Sequence, residues 1–229
     1  MTIQWFGPIE LDAAVRDRIL PANVVLDVGA GIRPQTLVRS QVHICVEPHS
    51  TYVRALLDLA EGNPGLVVLA ARWDEAMALL PDKSVDTVLA LDFIEHLSKE
   101  DGARFLLEAE RVAKGQVVVF TPLGFYPQGV PESGLDRWGL DGGEWQAHHS
   151  GWNQSDFDDQ WQVLCCQSYH QLDEHDEPLE QPFGALWAIR NFDLPVARRR
   201  PRAAPGPPLA SRRLRKWAGR LRKLLLGAP

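Results

Sequence analysis

Five short apolar runs punctuate the first half of the chain: Val24 to Val28, Val42 to Val46, Leu66 to Ala70, Asp86 to Leu91 and Gln116 to Phe120. Each is rich in β-branched residues and does not alternate with polar ones. That is the pattern of strands buried on both faces. Between them the period changes. Val53, Leu56, Leu57 and Ala60 recur at helical spacing behind a possible cap at Ser50, and Asn63 to Gly65 would stop that helix. Ser98 opens a capping-box pattern with Asp101, and Phe105, Leu106, Ala109, Val112 and Ala113 supply an apolar face that Gly115 would end. A leading helix is expected from about Ile9 to Leu20. Strands alternating with helices predict an α/β fold with a doubly wound, mostly parallel sheet.

The pattern changes after Phe120. A loop rich in Gly, Pro and Trp runs from Thr121 to about Asn153. Two strand-like runs follow, WQVLCCQSYH and ALWAIRNF, joined by the acidic turn QLDEHDEPLEQPFG with no helix between them. They predict an antiparallel hairpin closing one edge of a seven-stranded sheet. The chain is expected to divide into a main domain over residues 1–194, a basic proline-rich linker over 195–208 and a tail helix over 209–229. In that tail Leu214, Trp217, Ala218, Leu221, Leu224 and Leu225 share one helical face opposite Arg and Lys.

Charge sharpens this division. The net charge of −6 hides eleven Lys/Arg and no acid from Pro195 onward, so the first 194 residues carry thirteen basic residues against the chain's 30 acids. An acidic body repels phosphate backbones, which argues against a nucleic-acid partner for the main domain. The tail can lie on an anionic membrane through residues 209–226, pack on the acidic body or a partner chain, or stay disordered. No stretch of about 18 apolar residues spans a bilayer. The N-terminus shows no secretory pattern, and Cys45, Cys165 and Cys166 form no disulfide framework. A cytoplasmic location is expected, with the inner face of the membrane as the place where a membrane-bound tail would hold it.

The sequence VVLDVGAGIRPQ, Val24 to Gln35, carries the first chemistry. Asp27, Gly29 and Gly31 fall where a parallel strand gives way to a turn, at the ligand-binding edge of such sheets. Glu47 ends the next strand, where a carboxylate accepts ribose hydroxyls. No third glycine follows, and Pro34 lacks an N–H, so the turn is poorly built to grip a pyrophosphate. A ribose and adenine without phosphate fits better, which favours S-adenosylmethionine. There Asp27 would help to hold the ammonium, directly or through water.

From Val24 to Phe120 these motifs resemble the class I S-adenosylmethionine-dependent methyltransferases. LDVGAG matches the first motif, VEP with Glu47 the ribose acid, and LPDKSVDTVLALDFIEHL the segment around the fourth strand. The closing hairpin suits the same family, and the resemblance extends over roughly residues 20 to 192. It implies that Trp73 stacks on the adenine, that Asp74 accepts from its amino group, and that Asp92 lies close to the cofactor. For Trp73 a helix-packing role competes, and for Asp74 a helix N-terminal one.

TPLGFYPQG and HHSGW resemble a bacterial subgroup with Thr-Pro, Gly-Phe, Pro-Gln and His-x-Ser-Gly-Trp signatures, which implies a sugar or glycan acceptor. Methyl transfer to a hydroxyl benefits from a base, and His148 and His96 are the candidates, with His149 behind them. Loop-holding and capping roles compete for these histidines. The loop's aromatic residues can stack on sugar faces or form the loop's own core, and Gln128 and Gln146 can bind hydroxyls. No metal set is evident. Two other readings stay open: a nicotinamide-dependent oxidoreductase, and a non-catalytic membrane-docked adaptor on the same fold.

Overall fold

The computed structural model describes residues 2–172 and 177–192. Its centre is an eight-stranded sheet. The five apolar runs form β2 (Val24–Val28), β3 (Val42–Val46), β4 (Leu66–Leu69), β5 (Val85–Leu91) and β6 (Ala113–Pro122). All five are parallel, in the spatial order β6-β5-β2-β3-β4. The chain winds outward from β2 to β4, then returns to the other side of β2 with β5. The crevice of such a sheet lies at this reversal, outside the carboxyl ends of the strands.

The predicted hairpin is present as β7 (Gln162–Leu172) and β8 (Pro178–Asn191), but it does not close the edge. β8 inserts between β6 and β7, antiparallel to both. The edge is β1 (Thr2–Trp5), an eighth strand that pairs parallel to β7. Its four residues are mostly exposed and carry no buried-strand pattern; a partner far along the chain defines it. The leading helix, α1, is shorter than expected, at Pro8–Arg16.

α2 (Ser50–Ala60) is capped by His49, so Ser50 is its first residue and not its cap. α3 is Trp73–Ala78 and α4 is Lys99–Val112. Ser98 caps α4, its Oγ accepting from the Asp101 N–H at 3.1 Å. The hydroxyl also donates to the Asp101 carboxylate, so the reciprocal bond of a capping box to the Ser98 N–H is replaced by a side-chain one. α4 ends at Val112, before Gly115, because Ala113 has already turned extended and Gly115 lies within β6.

Packing follows the strand parity. α3 and α4 cover one face, where Met77, Phe105, Ala109 and Val112 meet Leu26, Val88 and Val117. α1 and α2 cover the other. There Leu11 and Val15 meet Val25, Leu89 and Val118, and Leu56 meets Cys45. The link from β2 to β3 contains no helix. Its thirteen residues, 29–41, include Pro34 and cross as an irregular segment held from below. Among the described residues no helix is long and apolar enough to cross a membrane. The linker and tail expected over 195–229 lie outside the described residues.

Candidate active site

Gly29 and Gly31 have φ of +70° and +62°, in the left-handed region that glycine occupies without strain. The Gly29 N–H donates to the Val46 carbonyl at 3.0 Å, which fixes the turn against β3. A Cβ at Gly29 would collide with the ring of Phe93, which rests on the turn.

Glu47 follows β3 directly and is 5% exposed. Its Oε2 accepts the Gly31 N–H and its Oε1 the His49 N–H, each at 2.9 Å. Burial raises its pKa, and these two amide donors oppose the rise. Each carboxylate oxygen keeps a second acceptor direction, which is what a ribose diol requires. Asp27 is fully buried beneath the turn. Its Oδ2 accepts the Gln35 N–H at 2.7 Å and meets His43 Nε2 at 2.9 Å. Asp27 therefore clamps the helix-free crossover. Its Oδ1 is buried without a partner in the described structure, an orphan acceptor that an ammonium or an ordered water would satisfy.

The adenine residues fall differently. Trp73 is 5% exposed and packs in the core, edge-on to Phe105 with ring centroids 5.6 Å apart. Its ring belongs to the α3–α4 interface and is not free to stack on a ligand, because α3 starts at Trp73 and turns that residue inward. Asp74 points outward, accepting from the Arg72 side chain at 3.3 Å and the Glu75 N–H at 3.1 Å. That is its helix N-terminal role.

Beyond β5 the chain bends through Asp92, whose φ is +51°. Its side chain is exposed to solvent, and the surrounding protein, with Glu95 beside it, still raises its pKa. Ile94 to His96 form a single 3-10 turn. Glu95 is 2% exposed, and burial raises its pKa to about 7. Its carbonyl accepts from the His149 and Ser150 N–H groups at 2.8 and 3.1 Å, which brings the HHSGW segment onto this turn. His96 Nδ1 lies 3.0 Å from the Ala147 carbonyl, and His148 Nδ1 lies 2.8 Å from that of Tyr126. The two rings are 5.0 Å apart. Burial lowers both pKa values, that of His148 to about 4 with His96 adding to the fall. The sequence candidates His96 and His148 thus meet beside Asp92. His149 shares their strand of loop through its backbone, and no bond of its side chain draws it into the pair.

The long loop straps the crevice. Tyr52 Oη donates to Asp136 Oδ2, and Asp136 Oδ1 accepts from the Trp138 and Leu140 N–H groups at 2.8 and 3.0 Å. His49 meets Asp141 at 3.1 Å, and Trp138 packs edge-on to Tyr52 and lies over Gly31. Trp152, Phe157 and Trp161 are buried in the main core on the α3–α4 face, while Phe125 and Trp145 are exposed. Gln128 donates to the Gln146 carbonyl at 2.7 Å and so holds the loop together. Sequence reading missed Tyr52, Asp136, His43 and Glu95. Only Glu95 carried a signal, as the residue beside His96; the others act across distances no local pattern spans.

Comparison with known proteins agrees with this geometry. The family described as methyltransferase domain matches residues 26–121. Among solved structures, a candidate methyltransferase from Bacillus halodurans is similar at 14% identity and a TM-score of 0.53, covering 80% of this chain and 98% of its own. TehB from Haemophilus influenzae is similar at 14% identity and a TM-score of 0.53, covering 79% of this chain and 61% of its own. A search of curated proteins found no match. At these identities the structures speak for the fold, and the family match spans the glycine turn, Glu47 and β5. Over residues 26–121 the chain matches the methyltransferase-domain family, which supports an S-adenosylmethionine-dependent methyltransferase.

Proposed function

We propose that the enzyme O-methylates a sugar, a glycan precursor or another small polar acceptor, bound between Asp92 and the strap of residues 123–153. The carrying observation is the pair His96 and His148, each with Nδ1 tied to a main-chain carbonyl. In His148 a neutral imidazole held in that tautomer keeps its lone pair on Nε2, free to accept from a hydroxyl. The bound cofactor supplies a methyl group on a sulfonium. The chain's own part is to hold the acceptor oxygen in line with that methyl and to take up the hydroxyl proton. A new O–CH3 bond forms as the S–CH3 bond breaks, and the proton leaves through a histidine to solvent. Exposed Phe125 and Trp145 offer flat faces for sugar C–H groups.

The test is radiolabelled S-adenosylmethionine with fractionated cell extract, followed by defined hydroxylated acceptors. Label is expected in a small-molecule or glycan fraction. His148→Ala should lower kcat/KM by about 100-fold or more, the scale of a lost proton acceptor, with cofactor affinity kept. Label found only in nucleic acid or protein would sink the acceptor assignment. NADH should show no saturable binding.

We also propose, from sequence alone, that residues 1–194 form the catalytic unit, that 195–208 form a linker, and that 209–226 touch an anionic membrane from the cytoplasmic side. Co-sedimentation with anionic liposomes should carry down the full chain and leave a chain ending at Val196 in solution. If both stay soluble, the membrane contact is wrong.

A further inference from the structure

We infer that Glu95, His96 and His148 form a binding site for a divalent transition-metal ion beside the methyl-transfer crevice. One donor atom from each lies within 4.8 Å of the others. Ligands around an ion held at about 2.0–2.2 Å sit roughly 3–4 Å apart, so the cluster needs only a small contraction to close.

Two further observations support it. Glu95 is buried, and its Oε2 has no partner among the described residues. A buried acceptor left unmet is costly, more so when it is a carboxylate, and a cation at this point removes the cost. Both imidazoles have Nδ1 against a carbonyl oxygen. Ligating histidines are commonly oriented this way, with Nε2 left for the metal.

The scaffold is fixed as well. His148 N–H donates to the Gln128 carbonyl at 2.8 Å, and Ser150 Oγ to that of Ile94 at 3.3 Å. With the bonds from His149 and Ser150 to Glu95, they lock the loop to the turn that carries Glu95 and His96. A second cluster of similar spacing, Asp27, His43 and Cys45, lacks these features. There the Asp27 and His43 donor atoms are already engaged with each other, and the thiol is core.

Two imidazoles and one carboxylate suit zinc, cobalt, iron or manganese and not calcium or magnesium, which prefer oxygen cages. Three protein ligands leave an open position. Its use rests on the proposed function and replaces one step of it: with the ion bound the imidazoles are ligands and not bases, and the open position would take the acceptor hydroxyl and lower its pKa, so that the proton passes to solvent.

The test uses the full chain, stripped of metal and without cofactor. Zn2+ is titrated by calorimetry and Co2+ by visible absorption. One equivalent should bind, with cobalt bands of a four- or five-coordinate nitrogen–oxygen site. Glu95→Gln and His148→Ala should each weaken binding by about tenfold or more, while circular dichroism and the unfolding midpoint show the fold intact. Should Glu95→Gln fail to fold, His96→Gln serves in its place. No saturable binding by the intact chain, or binding unchanged in the variants, overturns the site. A chain that binds the ion yet methylates no hydroxyl acceptor overturns the acceptor assignment alone.

Discussion

Glu47 joins the glycine turn to the start of α2 through one carboxylate, and under the proposed function it also takes the ribose. Two backbone amides aim it, and burial keeps it from rotating away. Glu47→Gln keeps the shape and removes the charge. A hydrogen bond to a charged group contributes about 1.5–3 kcal/mol, so affinity for S-adenosylmethionine should fall roughly 10- to 100-fold, measured by calorimetry. Gly29→Ala should fail more broadly, because its φ is left-handed and Phe93 fills the space a methyl would need. Unchanged cofactor binding in Gly29→Ala would mean that Phe93 can move aside. These residues were legible in sequence because a strand end and its following residue are local features. Trp73 was not, since which way the first residue of α3 faces depends on where Phe105 of α4 stands.

At the scale of elements, α4 and the strap depend on each other. Gly102 lies on α4 under the Trp152 ring, with no room for a Cβ. That ring is held by a bond from its Nε1 to Ser150 Oγ at 3.0 Å and by Lys99 Nζ, 3.7 Å over its face. In an open helix Gly→Ala would add about 1 kcal/mol of stability. Here Gly102→Ala should lower the thermal midpoint instead, read by circular dichroism. It should also loosen the segment that carries His148, read as faster hydrogen exchange at His149 and Ser150. A raised midpoint would show that Trp152 yields without cost. The hydrophobic pattern identified α4 and its buried face. It could not reveal that Gly102 was reserved for a tryptophan fifty residues away.

For the whole molecule, pH is the informative variable. His170 on β7 is held neutral by burial, with Arg137 adding to the effect, and its pKa falls to about 4. The unfolded chain binds its proton near pH 6.5. Between pH 6.5 and 4 the unfolded state therefore binds more protons than the folded one. The contribution is complete above pH 6.5 and is lost as pH falls toward 4. His170→Gln should make the unfolding midpoint less sensitive to acid than that of the unaltered chain over that range. An equal slope in the variant would place the acid sensitivity elsewhere. The acids near the crevice pull the other way: Glu95, raised to about 7, and Asp92, raised as well, favour the folded state most at low pH.

The sequence by itself determined the five central strands, α2 and α4, the glycine turn, the acid that follows β3 and the choice of a phosphate-free nucleoside cofactor. Each follows from periodicity or spacing within a few residues, where sterics and hydrogen bonding act locally. Tertiary structure alone decided the rest. β1 became a strand because β7 offered it a free edge, and β8 slipped between β6 and β7 where two ladders could satisfy its backbone. Asp27 became a clamp through His43, and Glu95 and His96 met His148 only when the strap folded back. Such pairings are long-range, and no single stretch of chain contains the free energy that selects them.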